Sequence, residues 1–170
     1  YHDKEWGSPV HDDKIHFEFL VLESAQAGLS WLTILKRREI YRRLYDGFDA
    51  EKVSKYGKKR IEMMLQNPGI IRNRKKIESS ISNAKHFLEI VQEFGSFDNY
   101  IWGFTGGKVI LNSWKTLSEI PANSELSDKI TKDLKKRGFR FLGSTIMYAH
   151  LQSIGIINDH LVDCFRYSEV

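Results

Sequence analysis

An all-α fold is what this sequence predicts, and three observations carry the prediction. Apolar residues recur at helical spacing along most of the chain, only 3 prolines interrupt it, and Ser, Asp or Asn stands ahead of the apolar runs while Gly follows them. No repeat, low-complexity tract or long linker divides the 170 residues. A single domain over 1–170 is therefore expected, built as two helical lobes sharing one core.

The opening Tyr1-His2-Asp3-Lys4-Glu5-Trp6-Gly7 has no clear period and reads as an ordered, aromatic-rich arm. Asp12 or Asp13 caps a helix running to about Ala27. Ser30 caps the next, whose Trp31, Ile34, Leu35, Tyr41, Leu44 and Tyr45 recur at helical spacing until Gly47 ends it. Two short pieces between 50 and 66 divide around Gly57. Asn67-Pro68-Gly69-Ile70-Ile71 then makes a tight hairpin, and a long helix from about Asn73 to Phe94 presents Ile77, Ile81, Ala84, Leu88 and Val91 on one face. Helix, Pro-Gly turn and helix together form a helix-hairpin-helix near 67–73.

The second half continues in shorter elements. A helix over Phe97 to Phe104 precedes Gly106-Gly107, and Lys108 to Leu111 is extended. A helical turn at Thr116 to Ile120 leads into Pro121. Ser127 or Asp128 begins a helix ending at Gly138, Ser144 caps another through Ser153, and Asn158 caps a last turn reaching Cys164. The glycines of 103–107 lack the strand and helix that a phosphate-binding loop requires, and Trp102 and Trp114 are assigned to the core or to surface anchoring.

Charge points weakly toward a polyanion. The net charge is +4 with 26 Lys and Arg against 22 Asp and Glu. The basic residues cluster at Lys36-Arg37-Arg38, Lys58-Lys59-Arg60, Arg72 to Lys76 and Lys135-Lys136-Arg137, each near a helix end or the hairpin. The hairpin offers backbone N–H groups at a helix start, and Arg72, Arg74 and Lys75 add charge beside it, which together suit a DNA phosphate. A lone cysteine forms no internal disulfide, so a reducing, cytoplasmic setting is expected, with no membrane span. The chain begins at Tyr1 rather than Met, which suggests that residues upstream are missing.

The most telling stretch is Glu23-Ser24-Ala25-Gln26-Ala27-Gly28-Leu29-Ser30-Trp31. Its acidic residue follows Phe17, Phe19, Leu20, Val21 and Leu22, so the helix must be buried, and a buried carboxylate requires a permanent partner or a ligand. Beside an aromatic plate such a carboxyl suits a flat, cationic, hydrogen-bonding guest, a description that a nucleobase meets. Tyr1, Trp6 and Trp31 are the aromatic candidates for that slot. His160 and Cys164 stand four apart and could share a metal ion. On these residues alone a capping histidine beside a buried thiol is the better reading, and a metal site needs His2 of the arm as a third ligand. That set leaves a fourth position unfilled.

Five ordered motifs resemble the bacterial DNA-3-methyladenine glycosylase I family. They are Tyr1-His2-Asp3-x-Glu5-Trp6-Gly7, Leu22-Glu23-x-x-Gln26-Ala27-Gly28-Leu29-Ser30-Trp31, Gly69-Ile70-Ile71-Arg72-x-Arg74-x-Lys76-Ile77, Lys135-Lys136-Arg137-Gly138-Phe139 and Asn158-Asp159-His160-x-Val162-x-Cys164. The resemblance runs from Tyr1 to about Cys164. It implies the helix-hairpin-helix glycosylase fold and a monofunctional enzyme that flips out and excises 3-methyladenine from alkylated duplex DNA, leaving an abasic site and releasing the free base.

It also implies roles. Glu23 and Tyr1 would hydrogen-bond the extruded base, Trp31 would stack on it and Trp6 would line the pocket, with Glu23 the catalytic carboxylate. Gly28 and Leu29 would enter the DNA stack, and Gly69, Arg72 and Arg74 would hold the backbone. His2, His160 and Cys164 would be three ligands of a structural zinc whose fourth ligand, a cysteine before the Tyr-His pair, is absent from this chain, as is a further pocket tryptophan. The family lacks the catalytic aspartate of its superfamily, in agreement with Gly143-Ser144-Thr145-Ile146, which contains no acid. A monomer is expected. The alternatives are a noncatalytic helix-hairpin-helix DNA-binding module and a small hydrolase in which the metal is catalytic.

Overall fold

A computed structural model describes residues 1–170 and contains nine α-helices arranged about one of their number. That central helix, α1 (Asp13–Gln26), buries ten consecutive residues from His16 to Ala25. A helix buried on every side must be wrapped by others. The Asp12 carboxylate caps its start, accepting from the amides of Lys14 and Ile15.

The predicted second helix is broken into α2 (Trp31–Leu35) and α3 (Arg38–Leu44). Arg37 stands between them as the N-cap of α3, at φ −104°, ψ −4°, and its guanidinium donates to the Pro68 carbonyl at 2.7 Å. The break turns Arg38 and Arg42, one helical turn apart, onto the buried Glu18 of α1 at 2.6 and 2.8 Å. Ion pairing of a buried acid thus overrides a continuous apolar period.

After α4 (Ala50–Val53) and α5 (Lys58–Gln66), the hairpin leads into the long α6 (Arg74–Phe94), capped by the Asn73 side chain. The buried face of α6 contains Ile77, Ile81 and Ala84 as expected, joined by Phe87 and Ile90, while Leu88 and Val91 are only half-buried. Helices α7 (Phe97–Gly103), α8 (Glu125–Lys136) and α9 (Ser144–Ser153) complete the set. Helix α8 starts before Ser127 because Ser124 caps it, with Ser127 reciprocating. The Ser144 hydroxyl lies 2.8 Å from that of Ser127 and joins two helices, so Gly143, not Ser144, is the cap residue of α9.

Residues 158–164 are not helical. Ile157 and Asn158 form β2, paired in parallel with β1 (Ile110–Leu111), and the chain then turns. The Asn158 carbonyl accepts from the Asn112 amide at 3.2 Å and the Trp114 carbonyl accepts from the Val162 amide at 2.9 Å, bonds that a helix here would forgo. One core of 33 buried apolar residues runs through all nine helices and β2, whereas both residues of β1 are exposed. No helix is long and apolar enough to cross a membrane.

Candidate active site

Glu23 sits on the last turn of α1, 3% exposed. Its Oε1 lies 2.9 Å from the Ser153 hydroxyl of α9, which in turn accepts from the Tyr1 hydroxyl at 3.1 Å. Ser153 has one proton for two acceptors, since the Ala149 carbonyl is also 2.9 Å away. Oε2 has no hydrogen-bond partner. Burial pushes the carboxyl well above the usual carboxylate range, and the Ser153 contact only partly opposes this. Burial thus works against the anion that the sequence suggested. No arginine touches it. Arg38 is spent on Glu18 and Glu5.

Tyr1, Trp6, Glu23, Gln26, Trp31, Ala149, Gln152 and Ser153 line one cavity of about 170 Å³. It is smaller than a typical drug-sized pocket of about 300–1,000 Å³ and suits a single nucleobase. The Tyr1 and Trp31 rings lie 5.6 Å apart at 56°, forming two walls of the slot. Burial raises the Tyr1 phenol beyond its ordinary range, so it remains a hydrogen-bond donor. All four predicted pocket residues meet here. Sequence reasoning missed Gln152, Ser153 and Ala149, whose spacing along α9 places them on one face. Larger hollows exist, such as that between Phe17, Phe48 and Phe87, but none contains an orphaned buried acid.

At the mouth of the slot α1 ends in a turn. Gly28 takes φ +82°, Leu29 is 38% exposed, and the Leu29 carbonyl accepts from the Gln26 side chain at 2.5 Å. Lys76 of α6 donates to the carbonyls of Ala25 and Ala27, both at 2.8 Å. In the hairpin a Cβ on Gly69 would come within 2.6 Å of Ile40, so only glycine fits. The Gly69 amide is held by the Asn67 side chain and the Ile71 amide by the Tyr41 hydroxyl, which leaves those of Ile70 and Arg72 without an internal partner. Arg72 is exposed, whereas Arg74 is paired with Glu62 at 2.5 Å and lies 3.6 Å from Glu78.

His2 Nε2, His160 Nδ1 and Cys164 Sγ converge, with sulfur-to-nitrogen separations of 3.7 and 3.6 Å. Two ligands on a tetrahedral zinc at about 2.3 Å and 2.1 Å stand about 3.6 Å apart, so the spacing fits. The far nitrogens are engaged as ligating histidines require: His160 Nε2 lies 3.0 Å from the Trp6 carbonyl and His2 Nδ1 lies 2.8 Å from Asp3. Trp6 packs edge-on against His160 at 4.6 Å, so this cluster and the slot share a wall.

A base-sized slot floored by a buried acid, on a helix-hairpin-helix scaffold with a glycine turn at its mouth, places the protein in the class of helical DNA glycosylases. The chain belongs to the methyladenine glycosylase family, whose model matches residues 1–167. It is 45% identical over 167 residues to DNA-3-methyladenine glycosylase 1 of Escherichia coli K12, covering 98% of this chain and 89% of that relative. The same identity holds over 164 residues with the DNA-3-methyladenine glycosylase of Haemophilus influenzae, covering 96% and 89%. A crystal structure of 3-methyladenine DNA glycosylase I superposes with a TM-score of 0.94 at 44% identity, covering 97% of this chain and 91% of that one. A variant of 3-methyladenine DNA glycosylase I in complex with 3-methyladenine superposes equally well at 37% identity, covering 96% and 88%.

Proposed function

We propose that the protein is a monofunctional DNA-3-methyladenine glycosylase that takes the methylated base out of duplex DNA and hydrolyses its N-glycosidic bond. One observation carries the reading: Glu23, buried and with one carboxyl oxygen unpartnered, forms part of a base-sized slot beside Trp31. Methylation at N3 makes the adenine cationic, so it departs as a neutral molecule and needs little acid catalysis. The protein's task is to extrude, orient and electrostatically select it. Trp31 supplies stacking of about 1–3 kcal/mol, which is nearly indifferent to base identity. Glu23 supplies the discrimination. A cationic purine favours the ionised carboxyl, whereas neutral adenine brings no charge to offset the cost of ionising it.

Leu29 at the tip of the Gly28 turn is the group to fill the vacated stack, and Arg72 with the free amides of Ile70 and Arg72 is the phosphate contact. Gly69 contributes by permitting the close hairpin, and Arg74 joins only by releasing its acidic partners. His2, His160 and Cys164 would hold a structural zinc that ties the arm to the chain's far end. The protein acts as a monomer in the cytoplasm.

The test is release of base from methylated duplex DNA, resolved by chromatography. We expect 3-methyladenine in the supernatant and abasic sites without strand cleavage. Tight DNA binding with no released base would instead leave a noncatalytic DNA-binding module.

A further inference from the structure

Two buried imidazoles beside the slot play no part in recognising the base. His150, on α9 three residues before Ser153, is 0% exposed, and neither ring nitrogen has a hydrogen-bond partner. Its Nδ1 stands 3.8 Å from Oε2 of Glu23, the oxygen that is also unpartnered. His16, on α1 and equally buried, has its ring centre 6.4 Å from that of His150. Its Nε2 lies 3.0 Å from Asp98 of α7, while its Nδ1 is unpartnered. Asp98 is 22% exposed and meets His11, 58% exposed, at 3.1 Å. Each orphaned buried polar atom costs about 1–3 kcal/mol. A file of them from the slot to the surface is therefore a poor packing solution.

We propose that His150 is the proton partner of Glu23, and that His16 and Asp98 extend it into an exit that stays open while a base fills the slot. The proposal rests on the glycosylase reading and adds the route by which its key carboxyl changes charge. Glu23 gives its proton to His150 once the 3.8 Å gap between them closes to hydrogen-bond length, and His150 then turns to pass one to His16, whose free nitrogen is Nδ1. His16 releases the proton on Nε2 to Asp98, which returns it to water beside His11. The net change is one proton out and one carboxylate left facing the cationic purine. When the neutral base departs, the same steps run in reverse. A carboxylate accepts from His16 Nε2–H, so the other nitrogen holds the lone pair that this relay needs. Burial, reinforced by His16, pushes His150 down to about 3, so it waits neutral and takes the proton only in passing, once the cationic purine has drawn the Glu23 carboxyl down.

Of the other charged groups around this file, Asp159 after β2 is held by Tyr148 and Gln152, and Asp133 of α8 by Arg137 and Tyr100. Tyr1 and Ser153 meet Glu23 on its Oε1 side. Asp13 caps the start of α7, Lys76 of α6 is bound to the carbonyls at the end of α1, and Arg38 and Arg42 of α3 are held by Glu18. Asp46, in the turn after α3, is held by Tyr56 and Arg60. α2 brings Trp31 and no charge.

His150→Asn removes the acceptor while keeping a polar side chain of similar reach. Two readouts are needed, the pH profile of kcat/KM on methylated DNA and the titration of the Glu23 carboxyl followed by carbon NMR in the unliganded protein. We expect the midpoint to rise by about one pH unit, with kcat/KM about tenfold lower near neutrality and recovering in alkali. Asp98→Asn, at the surface end, should shift both in the same direction by less and serves if His150→Asn does not fold. A folded variant with unchanged midpoint and profile overturns the proposal, as does a uniform activity loss at every pH. Coupling seen by NMR in a protein that releases no base would instead overturn the glycosylase reading.

Discussion

Two glutamates on α1, five residues apart, are nearly equally buried: the side chains of Glu18 and Glu23 are 7% and 4% exposed. Glu18 meets two guanidinium groups, Arg38 at 2.6 Å and Arg42 at 2.8 Å. Glu23 meets a hydroxyl through Oε1, while Oε2 has no hydrogen bond and only a neutral imidazole 3.8 Å away. A buried charge with permanent partners is finished structure, whereas one without them is an unfilled demand. The same residue type at the same depth is thus a structural tie in one place and a receptor in the other. The difference lies in what α3 and α9 bring to each.

Erasing the receptor should have the largest effect. Glu23→Ala is expected to abolish measurable binding of free 3-methyladenine by calorimetry and to cut excision by two or more orders of magnitude, since about 3 kcal/mol of charge complementarity is lost. Its circular dichroism should stay that of the wild type. Glu18→Gln is the reciprocal case. Arg42 is partly solvated, so the loss is about 2–3 kcal/mol, or a drop of about 5–10 °C in Tm, with base affinity per folded molecule preserved. A loss of base affinity there, without loss of stability, would erase the distinction between the two acids.

Trp31→Ala should weaken base binding about tenfold by removing one stacking face, and unaltered affinity would take Trp31 out of the slot. The smallest effect concerns pH. Because the Glu23 carboxyl is held above its ordinary range, its stabilising contribution is complete below the usual glutamate pKa of about 4.3 and is lost as pH rises through the raised value. Glu23→Gln has no such loss. Its Tm relative to wild type should therefore climb from mildly acid to neutral and alkaline pH, and a constant offset in thermal melts would show that the carboxyl is not shifted.

Local signals made much of the scaffold legible. Asp12 and Asn73 cap the helices that they were expected to cap or begin, and the Asn67–Ile71 hairpin stands where Pro and Gly place it. Three aromatics and one acid were brought together correctly because an acid in an apolar run demands a partner. Reading stopped where partners are remote. Ser153 is 130 residues from Glu23, and nothing in α9 announces that its Ser and His face an acid on α1. Glu18 passed unnoticed for the same reason, its arginines being revealed only by the break at Arg37. The spacing of His160 and Cys164 suggested a helix, yet a two-residue strand pairing and a turn bring them together, and a ladder that short leaves no alternation to read.

Lys76 gives the molecule a mechanical property. Its ammonium belongs to the helix that leaves the hairpin, but it is clamped to two carbonyls just before the Gly28-Leu29 turn. Under the proposed mode of DNA binding, a phosphate seated on the hairpin and Leu29 in the stack would be joined through this short strut. Gripping the strand and opening its stack would then be mechanically coupled rather than two events that must coincide.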